Sequence, residues 1–261
     1  MEIIAKGKIV ALLVFVAFWI AVLVYIRLVQ GGRKVEIRRL AALDAIDEAI
    51  GRAVEMGKPI MMNPGLGSLS GTFAADTVAG LAVLDYCSRK VISYGARLIV
   101  PIAQPDVMPL ASDIVRQAYL AAGKPQEFKA EEQIRYLSPD QFAWTVGIQG
   151  LAEREKPAAN IMIGYFAAEA MILAESLARV GALQVGGLTN TFQIPFFVAS
   201  CDFVLIGEEI FAAGAYLSKD SKAIGSIAGE DLFKIVAIIT IIAGTILSLL
   251  GVPGIPALIQ M

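Results

Sequence analysis

The chain has 261 residues, of which 57% are hydrophobic and 18% are charged, and its formal net charge is −2. Ordinary soluble domains are closer to half apolar, so this composition predicts that part of the chain lies in lipid. Nucleic acid is not expected as a partner, because its binding surfaces are usually clustered and basic. The chain contains no histidine, which excludes Ser-His-Asp catalysis and histidine-ligated metal sites.

The first and last segments of the chain are long, apolar and uncharged. Residues 9–26 carry no charge, and a helix of this length crosses the hydrocarbon layer of a bilayer. We therefore predict an N-terminal transmembrane helix in residues 1–30. A signal peptide is disfavoured, because no small-residue cleavage pattern follows. Residues 235–260 are also uncharged, which predicts a C-terminal transmembrane helix and short tail in residues 232–261. The lipid bilayer of the cell membrane is thus an expected partner.

Basic residues near the two predicted spans indicate their orientation. Lys6 and Lys8 precede the first span, whereas more basic residues follow it: Arg27, Arg33, Lys34, Arg38 and Arg39. The second span is preceded by Lys219, Lys222 and Lys234 and followed by no basic residue. Because cytoplasmic segments carry the excess of Lys and Arg, both spans predict that the central region is cytoplasmic.

The region between the spans predicts one α/β domain. Apolar residues recur every three or four positions in residues 31–57, which predicts an amphipathic connecting helix. In residues 58–231, short apolar runs alternate with helical patterns, which is typical of a single mostly parallel, Rossmann-like sheet. The predicted strands are Lys58–Asn63, Arg97–Ala103, Gln133–Leu137, Asn160–Phe166, Ala182–Gly186 and Phe196–Ile206.

A loop rich in glycine and hydroxyl residues follows the first predicted strand. Its candidate ligand-binding residues are Gly65, Gly67, Ser68, Ser70, Gly71 and Thr72. Open α/β sheets bind phosphates at this position, on the N-terminus of the following helix. The spacing G-x-G-x-x-x-G differs from the dinucleotide fingerprint, and the loop lacks the lysine of a P-loop. Two interpretations remain open: a ligand-binding loop, or a tight turn that begins a helix.

Acidic residues follow two of the later predicted strands in otherwise apolar sequence. The candidate acidic cluster is Glu169, Asp202, Glu208 and Glu209. At the carboxyl edge of a parallel sheet these side chains could gather, and their oxygens would suit Mg²⁺ or Ca²⁺. They could also interact with helix dipoles, or pair with arginines of a neighbouring subunit. We therefore assign no metal. The segment Gly186–Thr191 predicts a turn or the lip of the same cleft.

Several segments resemble an uncharacterised prokaryotic family of membrane-anchored proteins, known as a domain of unknown function. The resemblance is carried by the helix of Glu169 and by Gln193–Phe197, Cys201–Asp202, Ile206–Glu209 and Ala213–Leu217. It implies membrane anchoring. It implies no activity, cofactor or catalytic residue.

Two functions are compatible with these features. The leading hypothesis is a membrane-anchored, self-associating scaffold or binding module on the cytoplasmic face. Self-association is expected because two spans alone leave the small residues Gly244, Thr245 and Ser248 without partner helices. The alternative is an enzyme or sensor that binds a phosphate-bearing small molecule at the carboxyl edge of the sheet. No catalytic residue or cofactor is assigned, and protein partners other than further copies are left open.

Overall fold

A computed structural model of the chain describes residues 9–33, 35 and 40–249, which fall into two compact units. One unit comprises residues 38–218, and the other is built from segments 1–37 and 219–261. The helices are α1 (Ile9–Gln30), α2 (Ala41–Met56), α3 (Ala74–Ser93), α4 (Met108–Ala121), α5 (Ala130–Gln133), α6 (Gln141–Glu155), α7 (Ala170–Arg179), α8 (Ile194–Ser200), α9 (Glu209–Ser218) and α10 (Ser221–Leu249). The strands are β1 (Ile60–Gly65), β2 (Leu98–Ile102), β3 (Ile134–Tyr136), β4 (Ala159–Tyr165), β5 (Leu183–Leu188) and β6 (Phe203–Ile206).

The smaller unit contains α1 and α10, which pack against each other in antiparallel directions. Gly225 and Gly229 of α10 lie against Ile26 and Val22 of α1, respectively. A Cβ atom would be 2.5 Å from the Cα of Ile26 at the first glycine and 2.7 Å from the Cα of Val22 at the second. The G-x-x-x-G spacing of these glycines therefore allows the two helix backbones to approach closely.

Among the described residues, α1 is the helix that meets the length and hydropathy criteria for crossing a membrane. The qualifying segment is Leu12–Gln30, with a mean hydropathy of 2.7, and 6% of it is buried. The first predicted span is therefore confirmed as an apolar helix of sufficient length. The second predicted span is not confirmed: residues 235–249 continue α10, and residues 250–260 lie outside the described part of the chain.

The larger unit is built on a sheet of six strands, all of them parallel within the described residues. The strand order is β3-β2-β1-β4-β5-β6. The chain adds strands outwards from β1 to one side and then returns to add β4 on the other side. This order is that of a doubly wound α/β fold, with its topological switch point between β1 and β4. The predicted α/β fold with a parallel sheet is confirmed.

Helices cover both faces of this sheet. One hydrophobic core lies under α2, α3, α4 and α9, and a second lies under α6, α7 and α8. Met62 belongs to the first core and Met61 to the second, as expected when successive strand residues point to opposite faces. Burial on both faces explains why the strands are continuous apolar runs.

Helix α2 is part of the α/β unit. Its residues Ile46 and Ile50 are fully buried, and both belong to the first core. The periodicity of residues 31–57 predicts instead a helix that connects the membrane to the domain. The described part of that helix begins at Ala41 and packs on the sheet, while residues 34 and 36–39 lie outside the described residues.

The predicted strand Phe196–Ile206 is wrong in its first half, which is helical. Residues Ile194–Ser200 form α8, and β6 occupies Phe203–Ile206. Because β5 and β6 are parallel neighbours, the chain needs a crossover between them, and α8 provides it. A short apolar run does not distinguish a buried strand from a buried helix by periodicity alone.

The predicted turn at Gly186–Thr191 is also corrected, because its first half lies in β5. A Cβ atom at Gly186 would be 2.6 Å from the ring of Phe197 on α8. Glycine is therefore required there because α8 packs directly on the strand. Gly186 and Gly187, which suggest a turn in the sequence, lie in β5, and Gly186 leaves the space that α8 occupies.

Candidate functional site

The predicted glycine-rich loop lies at the topological switch point of the sheet. Gly65 is the last residue of β1, and residues 66–73 connect β1 to α3. On the other side of the switch point, residues 166–169 connect β4 to α7. Ligands of doubly wound sheets bind in the crevice outside the carboxyl ends of these two strands. The position of the loop is therefore that of a ligand site, and its contacts decide what it can bind.

The β1–α3 loop packs tightly on the strand and helix that border it. Gly67 is buried, and a Cβ atom there would be 2.3 Å from Oγ1 of Thr77 and 3.3 Å from Cβ of Tyr165. The ring of Phe73 stacks on that of Tyr165, with the ring centroids 3.5 Å apart and the planes 16° apart. These contacts close the loop onto the end of β4.

Asp106, in the β2–α4 loop, accepts hydrogen bonds from the β1–α3 loop. Its Oδ2 accepts from the hydroxyl of Ser68 at 2.6 Å and from the backbone N–H of Leu69 at 2.9 Å. These hydrogen bonds, first that of Ser68 and then that of Leu69, hold the pKa of Asp106 below its usual value. Hydroxyl and backbone N–H groups are the donors that a bound phosphate would use. In this chain the carboxylate of Asp106 accepts those hydrogen bonds instead of a phosphate.

The other predicted loop residues are on the outer side of the loop. The backbone N–H of Ser70 donates to the hydroxyl of Ser68 at 3.1 Å. Ser70, Gly71 and Thr72 are exposed. The six predicted residues are thus close together in the chain, but Gly65 and Gly67 are buried whereas Ser70, Gly71 and Thr72 are exposed.

A second carboxylate, that of Asp76, lies in the first turn of α3. Asp76 is 5% exposed, and its Oδ1 accepts a 2.7 Å hydrogen bond from the hydroxyl of Thr189, just after β5. The positive end of the helix dipole stabilises a carboxylate in this turn. The same end of the helix holds the phosphate in nucleotide-binding sheets, so a buried Asp76 opposes the binding of an anion there.

Glu169 adds a third carboxylate near the switch point, and it is the second, after Asp76, that is buried. It is fully buried at the start of α7. Its Oε1 accepts from the backbone N–H of Ala167 at 2.8 Å, and its Oε2 accepts from the side-chain amide of Gln141. Burial, followed by the charges of Glu169 and Asp76, raises the pKa of Tyr165. The crevice is therefore acidic, and Glu169 connects α7 to the start of α6.

The structure does not bring the four predicted acids together. The Oδ2 of Asp202 accepts from the backbone N–H of Gln184 at the start of β5, which is the amino edge of the sheet. Glu208 and Glu209 follow β6, where Oε2 of Glu209 accepts from the N–H of Ile206 at 2.9 Å. The predicted gathering fails for Asp202 because it precedes its strand. Within the described part of the chain, no group of three or more Asp, Glu, Cys or His side chains could hold a metal ion.

Sequence reasoning missed three residues around the β1–α3 loop, Asp76, Asp106 and Tyr165. Each stands alone in the sequence, without a motif around it. The available signal was position: Tyr165 is the last residue but one of a predicted strand, Asp106 follows another, and Asp76 is an acid near the start of the helix predicted after the glycine-rich loop. Which of them reach the β1–α3 loop depends on the strand order, and apolar patterns along the chain do not specify that order.

Two cavities formed by described residues lie at the opposite, amino edge of the sheet. One of about 430 Å³ is lined by residues from the ends of α2, α3 and α6, including Lys58, Tyr94 and Glu155. A second, of about 300 Å³, includes Tyr119 and Glu127, and Arg97 lines both. Arg97 forms an ion pair with Glu155 across this edge. Helix C-termini converge here, so the basic side chains offset the negative ends of helix dipoles.

The two cysteines have the properties of structural thiols. Cys87 is buried, and Cys201 is half-buried. Burial raises the pKa of the Cys87 thiol. Burial and the charge of Asp202 raise the pKa of Cys201 to about 12. Because the thiolate is the nucleophile, neither residue is activated for catalysis near neutral pH.

Comparison with known proteins gives a family without an assigned activity. The chain belongs to the family described as Domain of unknown function (DUF6754), which matches residues 1–258. The resemblance to a domain of unknown function is thereby confirmed. Neither the curated proteins nor the solved structures provide a match.

Proposed function

We propose that the chain is a membrane-anchored, self-associating scaffold or binding module whose α/β unit lies on the cytoplasmic face. The observation that carries the proposal is that the β1–α3 loop, beside the switch point, is held by groups of the chain itself. Asp106 accepts the hydrogen bonds of Ser68 and Leu69, and Phe73 stacks on Tyr165. A nucleotide enzyme of this fold keeps this place open for its ligand. A scaffold does not need an open crevice at this position.

Anchoring is supported by the exposure of apolar side chains on α1 and α10. Leu13 and Phe15 of α1 are 62% and 59% exposed, and Ile239 and Ile241 of α10 are 60% and 68% exposed. Lipid covers such side chains when a helix pair lies in a bilayer. In this proposal α10 continues into a second span, and the basic residues after α1 and before residue 235 keep the α/β unit in the cytoplasm.

Self-association is the second part of the proposal. A pair of helices has no interior of its own, and further helices from other copies would pack on its remaining faces. Small residues of α10 beyond the α1 contact, Gly244 and Thr245, would allow such packing. The proposal thus makes the oligomer, rather than the single chain, the working form.

A second candidate function is an enzyme or sensor that binds a phosphate-bearing small molecule. The strand order favours it, because the glycine-rich loop follows β1 at the switch point. The carboxylates of Asp76 and Asp106 oppose it, since both would lie against the bound anion. A ligand of this class would have to displace Asp106 from Ser68.

The two candidates are separated by measuring mass and ligand response on the full chain in lipid nanodiscs or detergent. We expect native mass spectrometry to give an oligomer. We expect inorganic phosphate and nucleotides to leave the unfolding temperature unchanged, because a ligand that binds only the folded state must stabilise it. A monomer would contradict self-association. Stabilisation by a nucleotide that is lost in Ser68→Ala would favour the enzyme or sensor.

The orientation has its own test in intact cells. A cysteine introduced by Ser221→Cys, before the predicted second span, should react with a membrane-impermeant maleimide only after the cells are permeabilised. Rapid labelling of intact cells would place the α/β unit outside. The buried Cys87 and half-buried Cys201 make the unsubstituted chain a suitable background control.

A further inference from the structure

The outer side of α6, α7 and α8 exposes large apolar side chains, and we call it the α6–α8 surface. Its most exposed member is Phe192, at 83%, in the turn before α8. The large side chains that define it are Phe142, Val146, Met171, Phe192, Phe196 and Val198. They lie in the first halves of α6 and α7 and along α8, which all start near the carboxyl edge of the sheet.

Contacts beneath this surface show that its three helices are neighbours. The ring of Phe166, at the end of β4, is 6.4 Å from that of Trp144 on α6 and 5.3 Å from that of Phe197 on α8. The side-chain amide of Gln149 on α6 donates to the hydroxyl of Ser176 on α7 at 2.8 Å. Trp144 and Phe197 are fully buried. The second core is therefore complete without the exposed residues, which must be explained separately.

The α6–α8 surface also lacks charge. None of the exposed residues in segments 142–146, 168–172 and 191–199 is charged. Glu169, which lies within these segments, is fully buried. The exposed ion pairs lie outside these segments: Glu175 with Arg179 in the second half of α7, Asp85 with Arg89 on α3 and Asp113 with Arg116 on α4. The α6–α8 surface, which covers the first halves of α6 and α7 and the length of α8, is therefore both apolar and uncharged.

The size of the surface fits a protein contact. Phe142, Phe192 and Phe196 are 56%, 83% and 40% exposed, which amounts to roughly 300–400 Å² at about 150–250 Å² per aromatic side chain. The largest apolar patch of a typical monomer is about 300–600 Å² in total. With the valines and Met171 added, the surface provides much of the roughly 800 Å² per partner that a stable interface buries.

We propose that a second copy of this chain docks on the α6–α8 surface in a twofold contact. This inference rests on the self-association in the proposed function and names its site in the α/β unit. A twofold contact places one surface against its own copy, so side chains near the axis meet identical side chains. Charged residues there would repel each other, whereas an apolar, uncharged surface is complementary to itself. A charged protein partner would find no opposite charge on this surface.

A lipid headgroup layer is a less suitable occupant. Surfaces that lie on membranes combine apolar residues with Lys or Arg, which bind the anionic lipids. The nearest basic residues on these helices, Arg154 and Arg179, are in the last turns of α6 and α7, away from the surface. The second copy therefore fits both the apolar character and the absence of charge.

The test measures the mass of the full-length protein in detergent for matched charge substitutions. Val146→Glu and Phe196→Glu place a carboxylate on the surface, and Val78→Glu places one on α3, on the opposite face. Val78 is 55% exposed and Val146 is 65% exposed, so folding should tolerate a charge at either position. We expect a loss of at least about tenfold in dimer affinity, or a lower oligomeric state, for the two surface variants and no change for Val78→Glu.

The outcomes separate this inference from the proposed function. A monomeric wild type overturns both. A wild-type oligomer that neither Val146→Glu nor Phe196→Glu changes overturns the α6–α8 contact and leaves self-association standing. Equal dissociation of the Val78→Glu variant would also overturn the contact, since the effect would then not depend on the face substituted.

Cross-linking provides a readout that does not depend on tolerance of a buried charge. In a Cys201→Ala background, Val146→Cys and Phe196→Cys should cross-link two copies in membranes with a short bismaleimide, whereas Val78→Cys should not. Absence of cross-linking at both surface positions overturns the proposal. Quenching by brominated lipids of a bimane label on the Val146→Cys variant would identify the bilayer as the occupant and also overturn it.

Discussion

The two edges of the sheet are both rich in glycine, yet they differ in how tightly the chain is packed. At the carboxyl edge, a Cβ atom at Gly67 would lie 2.3 Å from the side chain of Thr77. At the amino edge, the nearest atom to a Cβ at Gly95 is Nζ of Lys124, at 3.9 Å. At the carboxyl edge, Asp76 and Asp106 accept hydrogen bonds from Thr189 and Ser68, and the amino edge holds cavities of about 430 Å³ and 300 Å³.

The difference shows that Gly67 of the glycine-rich loop is explained by packing. In nucleotide-binding sheets, glycines of this loop allow the backbone to approach a phosphate. In this chain, the space beside Gly67 is occupied by the protein. Gly95 at the amino edge has another cause, a φ of +73°, and Gly71 of the loop itself shares it with a φ of +93°. Such values favour glycine whatever the space around it. Close packing and a positive φ are thus two separate reasons for glycine at the edges of this sheet.

The largest effect should come from adding one methyl group at the carboxyl edge. We expect Gly67→Ala to lower the free energy of unfolding by about 1–3 kcal/mol, because overpacking a buried site strains its neighbours. Gly95→Asn, at the amino edge, should cost less, since Asn adopts the left-handed conformation more readily than other side chains. Chemical unfolding of the full chain in detergent would measure both.

A second substitution locates the strain in the Gly67 variant. Adding Thr77→Ala to Gly67→Ala removes the Oγ1 atom that the new methyl group would meet, so the double variant should recover part of the lost stability. Equal losses at Gly67 and Gly95, or no recovery in the double variant, would contradict a difference in packing between the two edges.

The next largest effect should come from a buried hydrogen bond at the carboxyl edge. Asp76→Ala leaves the hydroxyl of Thr189 without its partner, which should cost about 1–2 kcal/mol. The control is Asp85→Ala, which removes an exposed ion pair with Arg89 within the same helix. Such pairs contribute roughly 0.3–0.5 kcal/mol. If Asp85→Ala cost as much as Asp76→Ala, the switch point would not be held by Asp76.

Asp106 should give the carboxyl edge a weak dependence on acid. The folded state lowers the pKa of Asp106, so its contribution is complete above the unfolded pKa and is lost as the pH falls through the folded pKa. Asp106 is exposed, and solvent should limit the effect to less than about 1 kcal/mol. The unfolding temperature of the wild type should fall more below about pH 4 than that of Asp106→Asn. Parallel curves would contradict the role of the carboxylate.

The elements of the fold could be predicted from the sequence wherever burial gives a recognisable pattern of apolar residues. Strands buried on both faces give apolar runs, and four of the six, β1, β2, β4 and β5, were located this way. The run Phe196–Ile206 failed because it contains both a buried helix and a strand, and each is apolar. The parallel pairing of β5 and β6, which makes a helix necessary between them, is a property of the sheet and not of the segment.

The position of the candidate site could be predicted from the sequence, but the residues that contact it could not. The sequence places Gly67 and Ser68 after the first strand, which is sufficient to locate the switch point. The carboxylate that accepts the hydrogen bond of Ser68 belongs to Asp106, 38 residues later in the chain. Nothing in the local sequence of either residue indicates that contact. Asp202 shows the opposite error: it is close in sequence to Glu208 but lies at the other edge of the sheet.

The smallest effect is expected at the amino edge, where Arg97 forms an ion pair with Glu155. The side chains are 54% and 23% exposed, and an open pair of this kind contributes about 0–1 kcal/mol because water and salt screen it. Arg97→Ala should therefore lower the free energy of unfolding by less than about 0.5 kcal/mol, and about 0.5 M salt should remove most of the difference from the wild type. Glu155→Gln should behave in the same way. A loss above about 2 kcal/mol in either variant, well beyond the range of an open pair, would mean that the amino edge is held as firmly as the carboxyl edge, and the contrast in packing between the two edges would then fail.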